Sequence, residues 1–145
     1  MNVRPAICIV ENNKLLVMHY RYGNTDVYNL PGGNLEFGEK MNECLVRELQ
    51  EELQIKVEVT EMLCLADVFI EKTQKQTLHT IFRGKITDGT PTLNPAETSA
   101  LSIRWLPIEE LLSVHLYPAI GKQLLKAVKN ELENPFLGRV LQPWV

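Results

Sequence analysis

The sequence predicts an α+β fold in a single domain that spans residues 1–145. Its 145 residues are enough to build one full hydrophobic core. Segments with the apolar, β-branched character of strands outnumber those with the periodicity of helices. The helical segments also do not alternate regularly with the strand segments, as they would in a doubly wound parallel sheet. This order favours an α+β arrangement over an α/β arrangement.

A hairpin and a polar loop are predicted ahead of the first helix. Residues 3–10 are apolar and β-branched, and residues 14–20 repeat that character after a polar turn. Residues 21–29 are rich in Tyr, Gly and Asn, which predicts a loop. This loop leads into Pro31-Gly32-Gly33, where the backbone can approach a ligand closely. A short strand is expected next, over residues 35–37.

The first helix is predicted over residues 40–53. This segment contains no Gly or Pro and is rich in strong helix formers. Leu45, Leu49 and Leu53 recur at four-residue intervals, so they form an apolar stripe along one side of the helix. The helix is therefore expected to pack against the core along that stripe.

The second half of the chain predicts a long hairpin, one more strand and two helices. The expected elements are one bent strand or two over 55–72, its partner over 76–87, a loop over 88–99, a strand over 101–106, and helices over 107–112 and 118–132. Both of these helices begin at a proline, which suits the first turn of a helix.

The tail that follows Asn134 has no clear period, yet it is predicted to be docked. Its apolar content is too high for a solvated end. The residues concerned are Phe136, Leu137, Val140, Leu141 and Trp144. Since the tail could cover either its own domain or a second subunit, a homodimer is one expectation.

Composition limits the partners of this chain. The net charge of −3 and the pI of about 5.6 argue against a grip on extended nucleic acid. The apolar runs are too short to span a bilayer, and the N-terminus lacks a signal-peptide pattern. Cys8, Cys44 and Cys64 lack C-x-x-C spacing, so we expect reduced thiols in a cytoplasmic protein.

Glu48, Glu51 and Glu52 crowd one face of the first predicted helix, because side chains three and four residues apart are neighbours. Like-charge pairs at i,i+4 cost roughly 0.2–0.5 kcal/mol each on an isolated helix. One interpretation is a solvated acidic face, in which Arg47 offsets part of the repulsion from its place four residues from Glu43 and from Glu51. The other is a cation site, because Mg²⁺ is typically held by one or two carboxylates together with waters and substrate phosphates.

The surrounding residues resemble the Nudix box, G-x5-E-x7-R-E-U-x-E-E-x-G-U, in which U is aliphatic. The matching positions are Gly33, Glu39, Arg47, Glu48, Leu49, Glu51, Glu52 and Ile55. The single departure is Gln54, which stands where the family has glycine. The Leu30-Pro31-Gly32-Gly33 and Trp105-Leu106-Pro107 segments are also similar to the family, so the resemblance is expected to span most of the chain.

The resemblance implies a mixed β-sheet between helices, with the box as a loop-helix-loop. Family members hydrolyse nucleoside diphosphates linked to another group, with Mg²⁺ or Mn²⁺. The chain is therefore expected to be a MutT-like pyrophosphohydrolase for a small nucleotide, with (deoxy)nucleoside triphosphates among the candidate substrates. A pyrophosphate is densely anionic, so attack by water needs the charge neutralisation that metals supply. The alternative is a Nudix fold that binds or senses nucleotides without turnover.

The same resemblance implies a set of metal ligands. Glu51 and Glu52 are expected to bind the metal, and Glu48 is expected to be a ligand or the general base. A backbone carbonyl of Gly32 or Gly33 is expected to complete the coordination.

Three further charged residues have candidate roles. Arg47 is expected to orient the box carboxylates. Glu39 either takes part in catalysis or simply favours the positive end of the helix dipole. Glu97 lies in the predicted loop over 88–99, where some family members carry a further ligand or base.

Substrate binding is less determined by the sequence. Arg21 and Arg83 are candidates for phosphate contacts, and Tyr22 or Tyr28 for stacking on a base. Gln54, by contrast, is expected to affect stability rather than metal binding. A left-handed conformation there would cost roughly 1–2 kcal/mol.

Overall fold

Two β-sheets and two α-helices form the fold of residues 1–143, which are the residues that this computed structural model describes. The strands are β1 (Asn2–Cys8), β2 (Val10–Glu11), β3 (Lys14–Tyr22), β4 (Thr25–Asn29), β5 (Lys56–Ile70), β6 (Lys75–Asp88), β7 (Ser102–Pro107), β8 (His115–Tyr117) and β9 (Phe136–Leu141). The helices are α1 (Met41–Leu53), α2 (Gly121–Val128) and a 3₁₀-helix over Ile108–Leu112. No helix in this part of the chain is long and apolar enough to cross a membrane.

The α+β prediction is confirmed, and the sheets contain both parallel and antiparallel pairs. The first sheet has the strand order β1-β6-β5-β9. β5 and β6 form a long antiparallel hairpin, while β1 runs parallel to β6 and β9 runs parallel to β5. The second sheet is built around β3, which pairs antiparallel with β2, β4 and β7. β8 completes it by pairing parallel with β4.

Both faces of β1 are buried, because successive side chains on a strand point to opposite sides. Ala6 and Cys8 belong to a buried cluster that includes Leu124 of α2. Ile7 and Ile9 belong to a second cluster on the side of α1. The predicted stripe of α1 lies entirely in that second cluster, with Leu45, Leu49 and Leu53. The apolar stripe therefore fixes which face of α1 remains available for the glutamates.

The glycine-rich segment before α1 is held along the edge of β1. The Ile7 N–H donates to the Pro31 carbonyl at 2.8 Å, and the Gly33 N–H donates to the Pro5 carbonyl at 3.2 Å. A Cβ atom at Gly32 would lie 2.2 Å from the Pro5 carbonyl oxygen. Glycine is therefore required where this segment crosses β1.

The predicted loop over residues 21–29 is wrong, because the segment completes β3 and forms β4. Gly23 adopts a φ of 61°, and Tyr22 pairs with Thr25 across the turn. A tight turn of this kind needs few residues, so most of the polar segment is free to pair as strand.

The predicted strand over residues 35–37 is also wrong, because this segment forms a loop that ends in a turn. The Glu39 N–H donates to the Glu36 carbonyl at 3.0 Å, and the Glu36 N–H donates to the Glu39 carboxylate at 3.2 Å. Gly38 has a φ of 82° in this turn. The Leu35 N–H donates to the Val3 carbonyl at 3.0 Å, but this single bond is not continued into a strand pairing.

The helix predicted over 118–132 is shorter than expected and starts later, at Gly121. The residues just before it include β8, which the sequence did not indicate. Asn130 has a φ of 58°, a left-handed conformation that ends helices. The Glu131 N–H then bonds back to the Lys126 carbonyl at 2.8 Å. The helix thus stops before the apolar periodicity does.

The prediction of a docked tail is confirmed, and the tail docks on its own domain. β9 pairs parallel with β5, and Val140 and Gln142 are buried. Phe136 and Leu141 remain more than half exposed, at 57% and 54%. Trp144 lies outside the described residues.

Candidate active site

The Glu48 carboxylate lies directly against the backbone of Gly33. A Cβ atom at position 33 would lie 2.3 Å from both Cδ and Oε1 of Glu48. Only glycine leaves room for the carboxylate there. The Glu48 side chain is 16% exposed, so it occupies a confined space between α1 and the segment that precedes it.

Arg47 connects the carboxylates of the box. Its guanidinium donates to Glu39 at 2.8 and 3.0 Å, to Glu48 at 3.0 Å and to Glu51 at 3.3 Å. Glu43 does not share in this network, because its carboxylate accepts the backbone N–H at the helix N-cap at 2.9 Å. Arg47 therefore serves the glutamates of the box and not the whole acidic face.

Glu39 lies just ahead of α1, and its side chain is 13% exposed. The hydrogen bonds from Arg47 lower the pKa of Glu39 to about 2. Glu39 therefore both precedes the N-terminus of α1 and forms an ion pair with Arg47. Glu39 anchors the guanidinium, and its direct participation in catalysis stays a prediction.

Glu52 has a perturbed carboxyl group beside Glu48. Burial and the charge of Glu48 together raise the pKa of Glu52 to about 7. The positive charge of Arg4 and the hydroxyl of Thr98 act in the opposite direction. Because this pKa is close to neutral pH, the Glu52 carboxyl group is protonated in part of the molecules at pH 7.

Glu48 lies beside Glu52 and against the Gly33 backbone, and the binding of a divalent cation by these carboxylates and the Gly33 carbonyl stays a prediction. They offer hard oxygen donors, which suit Mg²⁺ and Mn²⁺. The raised pKa of Glu52 reflects burial first and the repulsion from Glu48 second, and a cation would relieve that repulsion. Glu51 instead bonds to Arg47 and is 41% exposed. Within residues 1–143, no three His, Cys, Asp or Glu side chains are already gathered as a metal site, so Glu51 would have to leave Arg47 to become a third ligand.

The loop between β6 and β7 is fastened to the C-terminal end of α1. The Thr92 N–H donates to the Leu53 carbonyl at 2.9 Å, and the Asn94 N–H donates to the Glu52 carbonyl at 3.0 Å. Gln54 is left-handed, with φ 57° and ψ 38°. Its side-chain amide donates to the carbonyls of Thr92 and the next residue, both at 3.3 Å. This loop therefore forms one wall beside the carboxylates.

Glu97 belongs to the same loop, but its side chain is exposed. Its backbone N–H donates to the Asn94 carbonyl at 2.9 Å. The neighbouring residue, Thr98, is the one that reaches the site, with its hydroxyl 3.1 Å from the Tyr20 hydroxyl and close enough to Glu52 to affect its pKa. A role for Glu97 as an extra ligand or base stays a prediction.

The structure does not bring Arg21, Tyr28 and Arg83 together at the box. Arg21 pairs with Asp26 at 3.0 Å, and Tyr28 stacks on His19 with ring centroids 5.0 Å apart. Arg83 donates to a β5 glutamate at 3.0 Å and to a carbonyl near the end of α2 at 3.2 Å. Both arginines are thus engaged in structural contacts elsewhere.

Besides Arg47, the structure brings a second basic residue, Arg4, near this site, and Arg4 was not among the residues predicted from the sequence. Its charge acts on Glu52, and the next residue, Pro5, accepts the hydrogen bond from Gly33. The available signal was a charged residue inside the apolar run 3–10, since a charge placed in a core needs a partner. Thr98 carries no such signal, because only the path of its loop brings it near Glu52.

A family model described as the NUDIX domain matches residues 1–128. A curated Arabidopsis thaliana protein, Nudix hydrolase 5, is 23% identical to this chain over 128 residues. The match covers 86% of this chain but 42% of that protein. The chain therefore spans less than half the length of this curated relative.

Several solved structures share the fold. The Escherichia coli ORF135 protein has a TM-score of 0.69 and 26% identity, with 90% of this chain and 89% of that chain covered. A NUDIX hydrolase from Nitrosomonas europaea has a TM-score of 0.74 and 21% identity, with 92% of each chain covered. An ADP-ribose pyrophosphatase from Streptococcus suis has a TM-score of 0.66 and 15% identity, with 95% and 97% covered.

Proposed function

Because this chain belongs to the Nudix family, we propose that it is a pyrophosphohydrolase that uses a divalent metal. Its substrate class is a nucleoside diphosphate linked to another group. The observation that carries the proposal is the pair of Glu48 and Glu52, half-buried beside each other with too little positive charge to balance them. A solvated acidic face would not raise the pKa of one carboxyl group to about 7.

Glu48, Glu52 and the Gly33 carbonyl would hold the metal, and Glu51 would join them on leaving Arg47. Bound there, Mg²⁺ or Mn²⁺ would neutralise the diphosphate and make a water molecule more acidic. Metal binding would also displace the proton that Glu52 holds near neutral pH, because a carboxyl group binds a cation in its ionised form.

Arg47 orients Glu48 in this mechanism. It donates to Oε1 of Glu48 at 3.0 Å, which leaves Oε2 available to a ligand or to a water proton. Glu39 holds the other edge of the guanidinium with two hydrogen bonds. We therefore assign Glu48 as a metal ligand or the general base, and Arg47 and Glu39 as the pair that keeps it in position.

Two neighbours of the fold support the substrate class. One is named an ADP-ribose pyrophosphatase and another a UDP-X diphosphatase. Both names describe a nucleoside diphosphate joined to a further group. We extend that class to this chain, with (deoxy)nucleoside triphosphates as the second group of substrates to test.

The compartment proposed for this activity is the cytoplasm. Cys8, Cys44 and Cys64 are free and buried in the structure. Free thiols of this kind are typical of proteins in reducing compartments.

A substrate panel with Mg²⁺ tests the proposal. Nucleoside diphosphate sugars, ADP-ribose, dinucleoside polyphosphates and nucleoside triphosphates are scored for the release of nucleoside monophosphate, phosphate or pyrophosphate. We expect metal-dependent turnover of at least one class, lost on addition of EDTA. Binding of a nucleotide without turnover of any class would instead indicate a non-catalytic nucleotide-binding module.

A further inference from the structure

Among the arginines of the described chain, Arg4 is the one that has a buried guanidinium nitrogen without a hydrogen-bond partner. The arginines that form ion pairs with carboxylates are Arg21, Arg47, Arg83 and Arg104. Arg4 forms no such pair with any residue in 1–143. Its Nη1 atom is buried and has no hydrogen-bond partner there. A buried guanidinium atom without an acceptor is costly, so a partner from outside the chain is indicated.

The remaining contacts of Arg4 hold the side chain in place. Its Nη2 atom donates to the Leu30 carbonyl at 3.1 Å, and its guanidinium lies 5.5 Å from the centroid of the Tyr117 ring. His79 is its register partner on β6 and is fully buried. The Asn29 side-chain oxygen is also buried without a partner. Arg4 is therefore oriented by neutral groups, and none of these neighbours supplies a negative charge.

The position of Arg4 is next to the carboxylates of the box. It precedes Pro5, whose carbonyl accepts from Gly33 at 3.2 Å, and Gly33 lies against Glu48. The charge of Arg4 also acts on Glu52 and Tyr20. A ligand held between Glu48 and Glu52 would thus have Arg4 on its β1 side.

We propose that Arg4 binds a phosphate oxygen of the substrate, next to the part of the diphosphate that the carboxylates and their metal hold. This inference rests on the proposed function. Guanidinium groups bind phosphate through charge-assisted hydrogen bonds, which are stronger than those to neutral acceptors. Arg47 is already saturated by carboxylates, whereas Arg4 has a donor left over.

The experiment compares R4M and R4K with a matched control, R139M. Arg139 also lacks an ion pair among the described residues and also lies over an aromatic ring, Phe69, at 4.2 Å. It is on β9, and its side chain is exposed. Affinity is measured by calorimetry with Mg²⁺ and α,β-methylene-ADP, which cannot be cleaved between its phosphates. Inorganic pyrophosphate is the second probe, because it carries no base.

We expect R4M to weaken the binding of both probes at least tenfold, R4K to weaken it less, and R139M to leave it within twofold. The affinity for Mg²⁺ alone should stay within about threefold in all three. Melting curves check that R4M is folded. If R4M does not fold, the binding constants of R4K are compared with those of the wild type instead.

Three results would overturn the proposal. If R4M weakens α,β-methylene-ADP but not pyrophosphate, Arg4 contacts the nucleoside. If Mg²⁺ affinity falls as much as nucleotide affinity, Arg4 acts on the carboxylates. Because these readouts are binding constants, they remain interpretable even if the substrate panel detects no turnover. If the substrate panel detects turnover but R4M binds both probes as tightly as the wild type, the role of Arg4 is rejected and the proposed function stands.

Discussion

Two polar networks of this molecule use the same kinds of residues with opposite charge balance. The outer network lies on the second sheet and consists of His19, Arg21, Asp26, Arg104 and Glu110. Asp26 is shared by His19 at 2.7 Å and Arg21 at 3.0 Å, and Arg104 pairs with Glu110 at 3.3 Å. Each carboxylate of the outer network thus has a positively charged or protonatable partner of its own.

The box network consists of Glu39, Arg47, Glu48, Glu51 and Glu52. Its single guanidinium serves Glu39, Glu48 and Glu51 at 2.8 to 3.3 Å. The effect of the imbalance is visible in the pKa values. Hydrogen bonds from His19 and Arg21 lower the pKa of Asp26, whereas burial and Glu48 raise that of Glu52. The difference teaches that a half-buried surplus of like charge, and not the presence of ion pairs, distinguishes the candidate site from the outer network.

Replacing a carboxylate should give the largest difference in effect between the two networks. We expect E51Q and E52Q each to lower kcat at least tenfold, about 1.4 kcal/mol of barrier or more, because each would remove a charge that holds the metal. D26N in the outer network should leave kcat within twofold. Steady-state kinetics at saturating Mg²⁺ make the measurement. Near-wild-type kcat in both box variants would falsify the metal assignment.

Replacing the arginine of each network should give the next largest effect, on stability. R47K removes the planar fork that binds Glu39 through two atoms, and lysine cannot reproduce that geometry. We expect R47K to lower the free energy of unfolding by about 1–2 kcal/mol. R104K should change it by less than about 0.5 kcal/mol, because both partners in that pair are well exposed. Urea denaturation of both variants measures the free energy of unfolding. Equal decreases in R47K and R104K would contradict the contrast between the two networks.

The box could be predicted from the sequence because its interactions are local. Helical spacing places Arg47 beside Glu51, and the apolar stripe of α1 determines which face is buried. β4 was not predicted, because its segment is rich in the Tyr, Gly and Asn of loops, although its partner β3 is adjacent in the chain. β8 and β9 were not predicted, because each is short and is defined by a partner strand distant in the chain. Arg4 and Thr98 were missed for the same reason, since β1 and the loop before β7 meet the box only in the folded chain.

The titration of Glu52 should give a pH-dependent effect that is specific to the box. Its pKa in the folded chain, about 7, lies above its ordinary value of 4.5. Between these two values the folded state binds more protons than the unfolded state, so the stability of the metal-free protein should fall as pH rises from about 4.5 to 7. Mg²⁺ should restore the stability above pH 7, and its affinity should weaken as pH falls below 7, because protons compete for Glu52.

The control for this pH dependence is the difference between the wild type and E52Q. His79 also titrates differently in the folded state, because burial lowers its pKa to about 3. Its contribution has the opposite sign, with stability rising as pH increases from about 3 to 6.5. Subtracting the E52Q melting curves removes the contribution of His79 and leaves that of Glu52. A difference that is flat across this pH range would show that Glu52 is not shifted.

Gln54 should give the smallest effect, because two contributions at this position oppose each other. Its φ of 57° places it in the left-handed region, so Q54G would relieve roughly 1–2 kcal/mol of strain. The same change removes the amide that bonds to the loop carbonyls at 3.3 Å. It also lowers the free energy of the unfolded chain by about 0.4–1 kcal/mol, because glycine has more conformational entropy there. These amounts nearly cancel, so Q54G should melt within a few degrees of the wild type. Q54A keeps the strain and loses the bonds, so it should be the less stable of the two variants.

The kcat of Q54G should stay within a few-fold, because the backbone bonds from Thr92 and Asn94 still fasten the loop to α1. A large loss of kcat in Q54G at unchanged melting temperature would show that the amide positions this loop for catalysis.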